Sequence, residues 1–230
     1  MKDPDARDLK FEVPGASSVS ARLLTPRRLK ERPKACFVFA HGAGAGMTHR
    51  FMEEAAAGLN DRGIATLRYQ FPYMEHGSKR PDSPSIAHAA VRAAVAEGAR
   101  LCPGLPLIAG GKSCGGRMTS QAQALAPLPG VTGLAFFAFP LHPAGKPSDE
   151  RAAHLRDIHV PMLFLQGTQD KLADSRLLQP VVKGLGTRAT LHPVDQADHA
   201  FHVLVRSGRN DADVMREILD AFVAWISAIT

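Results

Sequence analysis

Short apolar runs alternate with segments of helical periodicity along most of this chain of 230 residues. The runs show little alternation between apolar and polar positions, which is typical of strands that are covered on both faces. They predict strands at residues 34–40, 63–68, 105–109, 131–139, 161–166 and 188–194. Helices are predicted at residues 48–60, with Thr48 as N-cap, and at 85–100, 149–157, 172–183 and 211–229. One more helix follows the third of these strands and ends near residue 125.

The order of these elements indicates a single α/β domain over residues 1–230. Strands that alternate with helices predict a doubly wound, mostly parallel sheet with helices on both faces. Residues 11–24 add two antiparallel strands with a turn near Pro14 and Gly15. No internal repeat, low-complexity tract or linker divides the chain, and its length fits one domain with a substantial core.

One strand-to-helix turn carries a sequence with chemical meaning. Gly111-Lys112-Ser113-Cys114-Gly115 fits G-x-S-x-G, in which a serine stands on a sharp turn between a strand and a helix. Such a turn leaves no room for a β-carbon two residues before and two residues after the serine, which explains the glycines. The helix that follows points its positive N-terminal end at the turn. Ser113 is therefore a candidate nucleophile.

Other interpretations compete for these glycines. A phosphate-binding P-loop requires a glycine five residues before the Gly-Lys pair, and Pro106 occupies that position. Gly42, Gly44 and Gly46 alternate, so they lack the G-x-G-x-x-G spacing of a dinucleotide site. The motif alone is also compatible with a structural glycine-rich turn that has no catalytic role. The residues in the other loops distinguish these two interpretations.

Chemically useful residues follow three further predicted strands. His41 follows the strand at 34–40, Asp170 follows the strand at 161–166, and His199 follows the last strand. The carboxyl ends of parallel strands lie at one edge of a doubly wound sheet, so these loops should meet the Ser113 turn. Ser113 is the predicted nucleophile, His199 the base that accepts its proton, and Asp170 the carboxylate that holds the imidazole. Their order along the chain is that of an α/β-hydrolase triad.

Backbone amides and neighbouring side chains complete the predicted site. The N–H groups of Ala43 and Cys114 are expected to face the oxygen that becomes negative during acyl transfer. Gly42 and Gly44 would let the loop backbone approach a ligand closely. The further residues that we expect around the substrate are His41, Tyr73 and His142.

Neighbouring residues leave alternatives for each role. Asp174 is the substitute for Asp170, although it lies a turn later, and His192 and His202 are substitutes for His199. Cys114 is an alternative nucleophile, although the residue after a nucleophile usually packs its side chain beneath the turn. A metal site formed by His192, Asp198, His199 and His202 matches no H-E-x-x-H or similar spacing, so neither a metal nor a cofactor is predicted.

The chain resembles an α/β-hydrolase over nearly its whole length from Lys34 onward. The resemblance is closer to the dienelactone-hydrolase-like branch that contains the testis-expressed and NSL-complex-subunit hydrolase-like proteins. The segments that carry it are HGAGAGM at 41–47, RYQFPY at 68–73, GGKS at 110–113, PLHP at 140–143 and QGTQD at 166–170. This resemblance implies serine-hydrolase chemistry without a metal. Dienelactone hydrolases have a cysteine as nucleophile, so Ser113 argues against their particular substrate.

The net charge of +6 and a pI near 9.5 raise the question of an anionic partner. Basic residues concentrate in one segment that contains two prolines and no interleaved aromatic residues, and no nucleic-acid motif accompanies it. We therefore predict a solvated connection rather than a nucleic-acid site, with an anionic partner as the alternative. The basic residues are Arg22, Arg27, Arg28, Lys30, Arg32 and Lys34.

The number of cysteines and the first residues of the chain indicate the cellular compartment in which the protein works. Cys36, Cys102 and Cys114 are too few, and odd in number, for a disulfide framework, which favours a reducing cytoplasm. The charged first residues are followed by no apolar run that predicts a signal peptide or a membrane span. The oligomeric state is not predicted by any of these features.

These features together predict a cytoplasmic serine hydrolase, similar to a carboxylesterase, that cleaves a carboxylic ester or a similar acyl bond. The alternative is a binding or scaffold protein that keeps the fold and has little turnover. The complete set of Ser113, Asp170 and His199 favours the enzyme, because scaffold descendants often lose one member. The connection at 141–148 is too short for a lid domain, which predicts an open cleft and a small-molecule acyl substrate.

Overall fold

The structure, a computed structural model, describes residues 6–26 and 33–230 and has an eight-stranded sheet at its centre. The strands are β1 (Ala6–Phe11), β2 (Val19–Leu24), β3 (Ala35–Ala40), β4 (Ile64–Tyr69), β5 (Leu107–Lys112), β6 (Val131–Phe137), β7 (Met162–Gly167) and β8 (Ala189–Val194). Their order is β1-β2-β4-β3-β5-β6-β7-β8. β1 and β2 are antiparallel to their neighbours, whereas β3 to β8 pair in parallel.

Helices cover both faces of this sheet. They are α1 (Arg50–Asn60), α2 (Pro72–Glu75), α3 (Pro84–Leu101), α4 (Cys114–Leu125), α5 (Ser175–Gly184) and α6 (Asp211–Ile229), and short 3-10 helices span Glu150–Asp157, Gly186–Arg188 and Val205–Ser207. Alternate strand residues enter two separate cores: Phe37 and Phe39 face α1 and α6, whereas Cys36 and Val38 face α3 and α4. Burial on both faces explains the uninterrupted apolar runs in the sequence.

The predicted fold class is confirmed, and several element boundaries are corrected. The first strand of the antiparallel pair lies at Ala6–Phe11, before the segment predicted for it. α1 is capped by His49 rather than Thr48, because the Phe51 N–H donates to the His49 ring at 3.2 Å. The segment predicted as a helix at 149–157 is a 3-10 helix, and the helix predicted from residue 172 starts at Ser175.

The predicted basic connection lies partly outside the described residues, since Arg27, Arg28, Lys30 and Arg32 are not among them. Arg22 is not in a solvated connection. It lies in β2, largely buried, and its guanidinium pairs with Asp8 at 2.6 Å. This pairing explains one basic residue of the segment as part of the antiparallel hairpin.

The connection between β6 and β7 leaves the carboxyl edge of the sheet uncovered by a lid. Between these strands the chain has loops and the 3-10 helix Glu150–Asp157, with no inserted domain. Over the described ranges, none of the helices combines the length and apolar character that crossing a membrane requires.

Candidate active site

Ser113 stands on the turn between β5 and α4 in a conformation that few non-glycine residues adopt, with φ 51° and ψ −118°. Its N–H donates to the carbonyl oxygen of Phe137 at 2.9 Å, which ties the turn to β6. A β-carbon on Gly111 would lie 2.5 Å from the carbonyl oxygen of Ala40, and one on Gly115 would lie 2.5 Å from that of His41. The glycines therefore allow the turn to pack directly against the end of β3, as the G-x-S-x-G spacing predicts.

A chain of hydrogen bonds joins three side chains from separate loops. The Oγ of Ser113 lies 2.8 Å from Nε2 of His199, and Nδ1 of His199 lies 2.7 Å from Oδ2 of Asp170. A carboxylate can only accept, so Nδ1 carries the proton and Nε2 of the neutral ring is the acceptor for the Ser113 hydroxyl. The structure brings together the three residues that the sequence predicts as nucleophile, base and supporting carboxylate.

Asp170 is held in one orientation by three donors. Its side chain is 0% exposed, whereas that of His199 is 29% exposed. Besides His199, Oδ2 accepts from the side-chain amide of Gln166 at 2.6 Å, and Oδ1 accepts from the N–H of Leu172 at 2.7 Å. These bonds compensate for removing the carboxylate from water and fix the oxygen that faces the imidazole.

The loop that carries His199 is shaped by Asp198 and secured by Lys112. Asp198 accepts the N–H groups of Ala200 and His202 at 2.8 and 2.9 Å, which closes a tight turn around His199. The Nζ of Lys112 donates to the carbonyl oxygen of His199 at 2.5 Å. Burial lowers the pKa of the Lys112 ammonium to about 8, and the carboxylates of Asp170 and Asp198 oppose that shift.

The loop after β3 also lies beside Ser113, since a β-carbon on Gly42 would lie 3.7 Å from the β-carbon of Ser113. The Gly44 N–H donates to the hydroxyl oxygen of Tyr73 at 2.8 Å. His41 is fully buried: its Nδ1 donates to the carbonyl of Gly42 at 2.7 Å and its Nε2 accepts the Phe71 N–H at 3.1 Å. Burial lowers the pKa of His41 to about 4, so the ring is neutral at neutral pH and supports this loop.

A cavity of about 380 Å³ opens beside Ser113. Its apolar wall includes Phe71, Pro84, Ala87, Met118 and Leu172. Of the residues predicted around the substrate and the oxyanion, the cavity is lined by His41, Ala43, Tyr73 and Cys114. Within the described residues, the N–H groups of Ala43 and Cys114 donate to no other protein group.

Other predicted residues have different surroundings. His142 is not among the residues that line this cavity. Its Nδ1 donates to the carbonyl of Pro143 at 2.9 Å, and its Nε2 accepts the N–H of Asp174 at 2.9 Å. It supports the loop that follows Asp170 and has no ring nitrogen left for a substrate. Gly42 and Gly44 shape their loop without lining the cavity.

The residues considered as substitutes for the base and the carboxylate are occupied elsewhere. His192 pairs with Glu217 at 2.9 Å, and His202 pairs with Asp211 at 2.9 Å. Asp174 accepts the Arg176 N–H at the start of α5 and pairs with the Arg176 guanidinium at 2.8 Å. Among the described residues, His199 is the candidate base that contacts Ser113, and Asp170 is the candidate carboxylate that contacts His199.

Three contributions to the site were not predicted from sequence. Lys112 had no assigned role, and Arg117 and Arg151 both line the cavity. A sequence signal existed for Arg117, since it lies four residues after Ser113 at the start of a helix and so shares its face. Lys112 and Arg151 depend on contacts between distant segments, for which the sequence gives no comparable signal.

Comparison with known proteins assigns the chain to a family. A family model described as alpha/beta hydrolase domain matches residues 33–227. The chain belongs to this family. Its fold is similar to that of XC6422 from Xanthomonas campestris, described as an α/β serine hydrolase without lid, with a TM-score of 0.75, 20% identity, and coverage of 97% of this chain and 96% of that one.

Two further solved structures share the fold over almost the full length of each chain. A dienelactone hydrolase from Anabaena variabilis has a TM-score of 0.74 and 17% identity, covering 98% of this chain and 99% of its own. A highly thermostable carboxyl esterase from Bacillus coagulans, in complex with glycerol, has a TM-score of 0.75 and 14% identity, covering 99% of both chains. The narrower resemblance to the testis-expressed and NSL-complex-subunit proteins stays a prediction.

Proposed function

We propose that this alpha/beta hydrolase is a serine hydrolase that cleaves a carboxylic ester or a similar acyl bond, in the manner of a carboxylesterase. The observation that carries the proposal is the hydrogen-bonded chain from Ser113 through His199 to the buried Asp170. A serine hydroxyl is a weak nucleophile until a base accepts its proton, and a neutral imidazole is suited to that at physiological pH.

The steps of the reaction follow from where the protons lie in the hydrogen-bonded series of Ser113, His199 and Asp170. As Oγ of Ser113 attacks the acyl carbon, its proton passes to Nε2 of His199, and Asp170 stabilises the imidazolium that forms. His199 then gives the proton to the leaving alcohol as the acyl–oxygen bond breaks, which leaves an acyl group on Ser113. Water attacks this acyl-enzyme with His199 again as the base, and the carboxylic acid product is released.

Charge on the former carbonyl oxygen is stabilised by two backbone donors. Ala43 and Cys114 line the cavity beside Ser113, and their N–H groups bind no other group among the described residues. α4 adds the positive end of its dipole at the same place. Loss of one such donor typically costs about 2.7–4 kcal/mol in the transition state.

A panel of alkyl esters with increasing acyl length tests the proposal. We expect turnover by the wild type and a fall of at least about 1,000-fold in kcat for Ser113→Ala. Ser227→Ala is the matched control, because Ser227 is exposed on α6 and bonds only within its helix. A folded wild type that hydrolyses no ester or related acyl compound would instead favour a binding or scaffold protein.

A further inference from the structure

Two arginines line the cavity beside Ser113. Arg117 lies one turn into α4, and its N–H donates to the carbonyl oxygen of Ser113 at 3.2 Å. Arg151 lies in the 3-10 helix Glu150–Asp157, which packs against α4. Both line the cavity that Ser113 shares. Two guanidinium groups therefore stand where a substrate bound to Ser113 would extend.

Neither guanidinium has a protein partner among the described residues. Neither forms an ion pair or a side-chain hydrogen bond there, and the buried Nε of Arg117 is without an acceptor. Arg62 and Arg176, in contrast, pair with Asp220 and Asp174 at 2.7 and 2.8 Å. Both arginines are only partly buried, and the buried Nε of Arg117 is the atom for which the lack of a partner is costly. Their guanidinium donors are therefore available to an anion supplied from outside.

The surrounding charges leave this positive potential largely uncompensated. Burial and the charge of Arg117 both lower the pKa of Arg151. His154 nearby has its pKa lowered to about 4 by burial and by Arg117, so it is neutral at neutral pH. The carboxylate in the cavity lining belongs to Asp82, which accepts the Tyr73 N–H at 3.1 Å and pairs with neither arginine.

The residues that line the cavity favour the acyl part of a substrate over the leaving group. Ser113, Ala43 and Cys114 line it, whereas His199 is not among its lining residues. The leaving alcohol receives its proton from His199 and must lie on that side of Ser113. The wall of the cavity also includes Met118 and Leu172, whose apolar side chains suit methylene groups.

We propose that Arg117 and Arg151 bind a carboxylate at the far end of the acyl chain, so that the preferred substrates are monoesters of short dicarboxylic acids. This inference rests on the proposed serine-hydrolase function. Hydrolysis consumes water and yields the alcohol, the dicarboxylate and a proton, with no other reactant. The planar guanidinium matches a carboxylate through paired N–H donors, which gives direction as well as charge.

The test compares monoethyl esters of dicarboxylic acids with ethyl esters of monocarboxylic acids of the same chain length, followed by alcohol release. For the wild type we expect kcat/KM at least about tenfold higher for the acidic ester of the best length. Arg117→Gln and Arg151→Gln should each reduce that preference about tenfold or remove it. Arg156→Gln, which changes an exposed arginine on the same 3-10 helix, should leave it unchanged.

A wild type that hydrolyses the neutral ester as fast as the acidic one overturns the inference while the hydrolase function stands. A preference that survives in Arg151→Gln and in Arg117→Gln also overturns it. If no ester is turned over, the hydrolase proposal fails by itself, and binding remains measurable by calorimetry with the free dicarboxylates and Ser113→Ala. Saturable binding to Ser113→Ala that is lost when Arg151→Gln is added to it would support the arginine site. No binding to Ser113→Ala would contradict it.

Discussion

The ammonium of Lys112 donates to the carbonyl oxygen of His199 at 2.5 Å. The ammonium lies beside a stacked pair of aromatic rings, 5.4 Å from the centre of Phe51 and 5.2 Å from that of Phe201. Lys112 directly precedes Ser113, so a single side chain connects the nucleophile turn with the loop that carries the imidazole. The relative position of Ser113 and His199 therefore depends on a residue that is outside the hydrogen-bonded chain itself.

Removing the Lys112 contact should lower activity without removing the nucleophile. For Lys112→Met we expect kcat to fall about 10- to 100-fold, the range that corresponds to a hydrogen bond with a charged donor, while KM changes less. Lys112→Arg should recover part of kcat because it keeps the charge. Lys183→Met, an exposed lysine on α5, is the control. Steady-state kinetics with one neutral ester compares the wild type with these three variants. An unchanged kcat in Lys112→Met would contradict the role of Lys112 in positioning His199.

The pH dependence of stability should report the buried Lys112 ammonium. Burial lowers its pKa from about 10.5 to about 8 in the folded chain. Between these values the unfolded chain holds the proton and the folded chain does not, so stability rises with pH across this window and is lost as pH falls towards 8. The unfolding free energy of the wild type, relative to Lys112→Met, should rise by up to about 3 kcal/mol from pH 7.5 to 10.5.

Denaturant titrations of the two proteins at several pH values give this difference directly. Groups that are common to both chains, such as tyrosines and the remaining lysines, cancel in the comparison. A difference that stays constant across the window would show that Lys112 has an ordinary pKa.

The close packing of the nucleophile turn predicts a severe effect of a single methyl group. Gly115→Ala would place a β-carbon 2.5 Å from the carbonyl oxygen of His41, which is backbone and cannot rotate away. We expect the free energy of unfolding to fall by about 3 kcal/mol or more and the activity to be lost. Gly184→Ala, where no atom lies within 4 Å of the added carbon, should be neutral or slightly stabilising. Equal unfolding midpoints for the two variants would refute this packing.

Tyr73 should act on the loop that carries Ala43 rather than on the substrate alone. In Tyr73→Phe the Gly44 N–H loses its acceptor, which leaves the loop less fixed next to Ser113. Gly44 is exposed, so water can replace the lost acceptor. The net loss of one such hydrogen bond is about 0.5–1.5 kcal/mol, so kcat should fall about 2- to 10-fold, with a smaller change in KM. The comparison is made by steady-state kinetics at equal folded fraction, and a change confined to KM would assign Tyr73 to substrate binding instead.

The sequence predicted the parallel sheet and the hydrogen-bonded residues because each depends on local patterns. Apolar runs identify strands covered on both faces, and Asp170 follows one of them, β7. His199 follows the edge strand β8, which was predicted from its place in the alternation of strands and helices. His142 shows the limit of this reasoning. Its position after a strand resembles that of a site residue, but both ring nitrogens bind backbone groups that the chain brings there from other segments.

The cavity was beyond sequence prediction for a related reason. Arg151 lies in a 3-10 helix whose position against α4 is fixed by packing rather than by periodicity. Lys112 appears in the sequence as one unassigned residue of G-x-S-x-G, and only the folded chain shows that its ammonium reaches His199. Side chains that act through contacts between distant loops leave no spacing that a sequence pattern can detect.

The most direct test of the hydrolase proposal is covalent labelling of the folded protein with a fluorophosphonate probe, followed by peptide mass spectrometry. We expect a single modified residue, Ser113, in the wild type, no labelling of Ser113→Ala, and much slower labelling of His199→Ala. A wild type that unfolds cooperatively, and so is folded, yet stays unlabelled or carries the label on another residue would contradict the proposed role of Ser113.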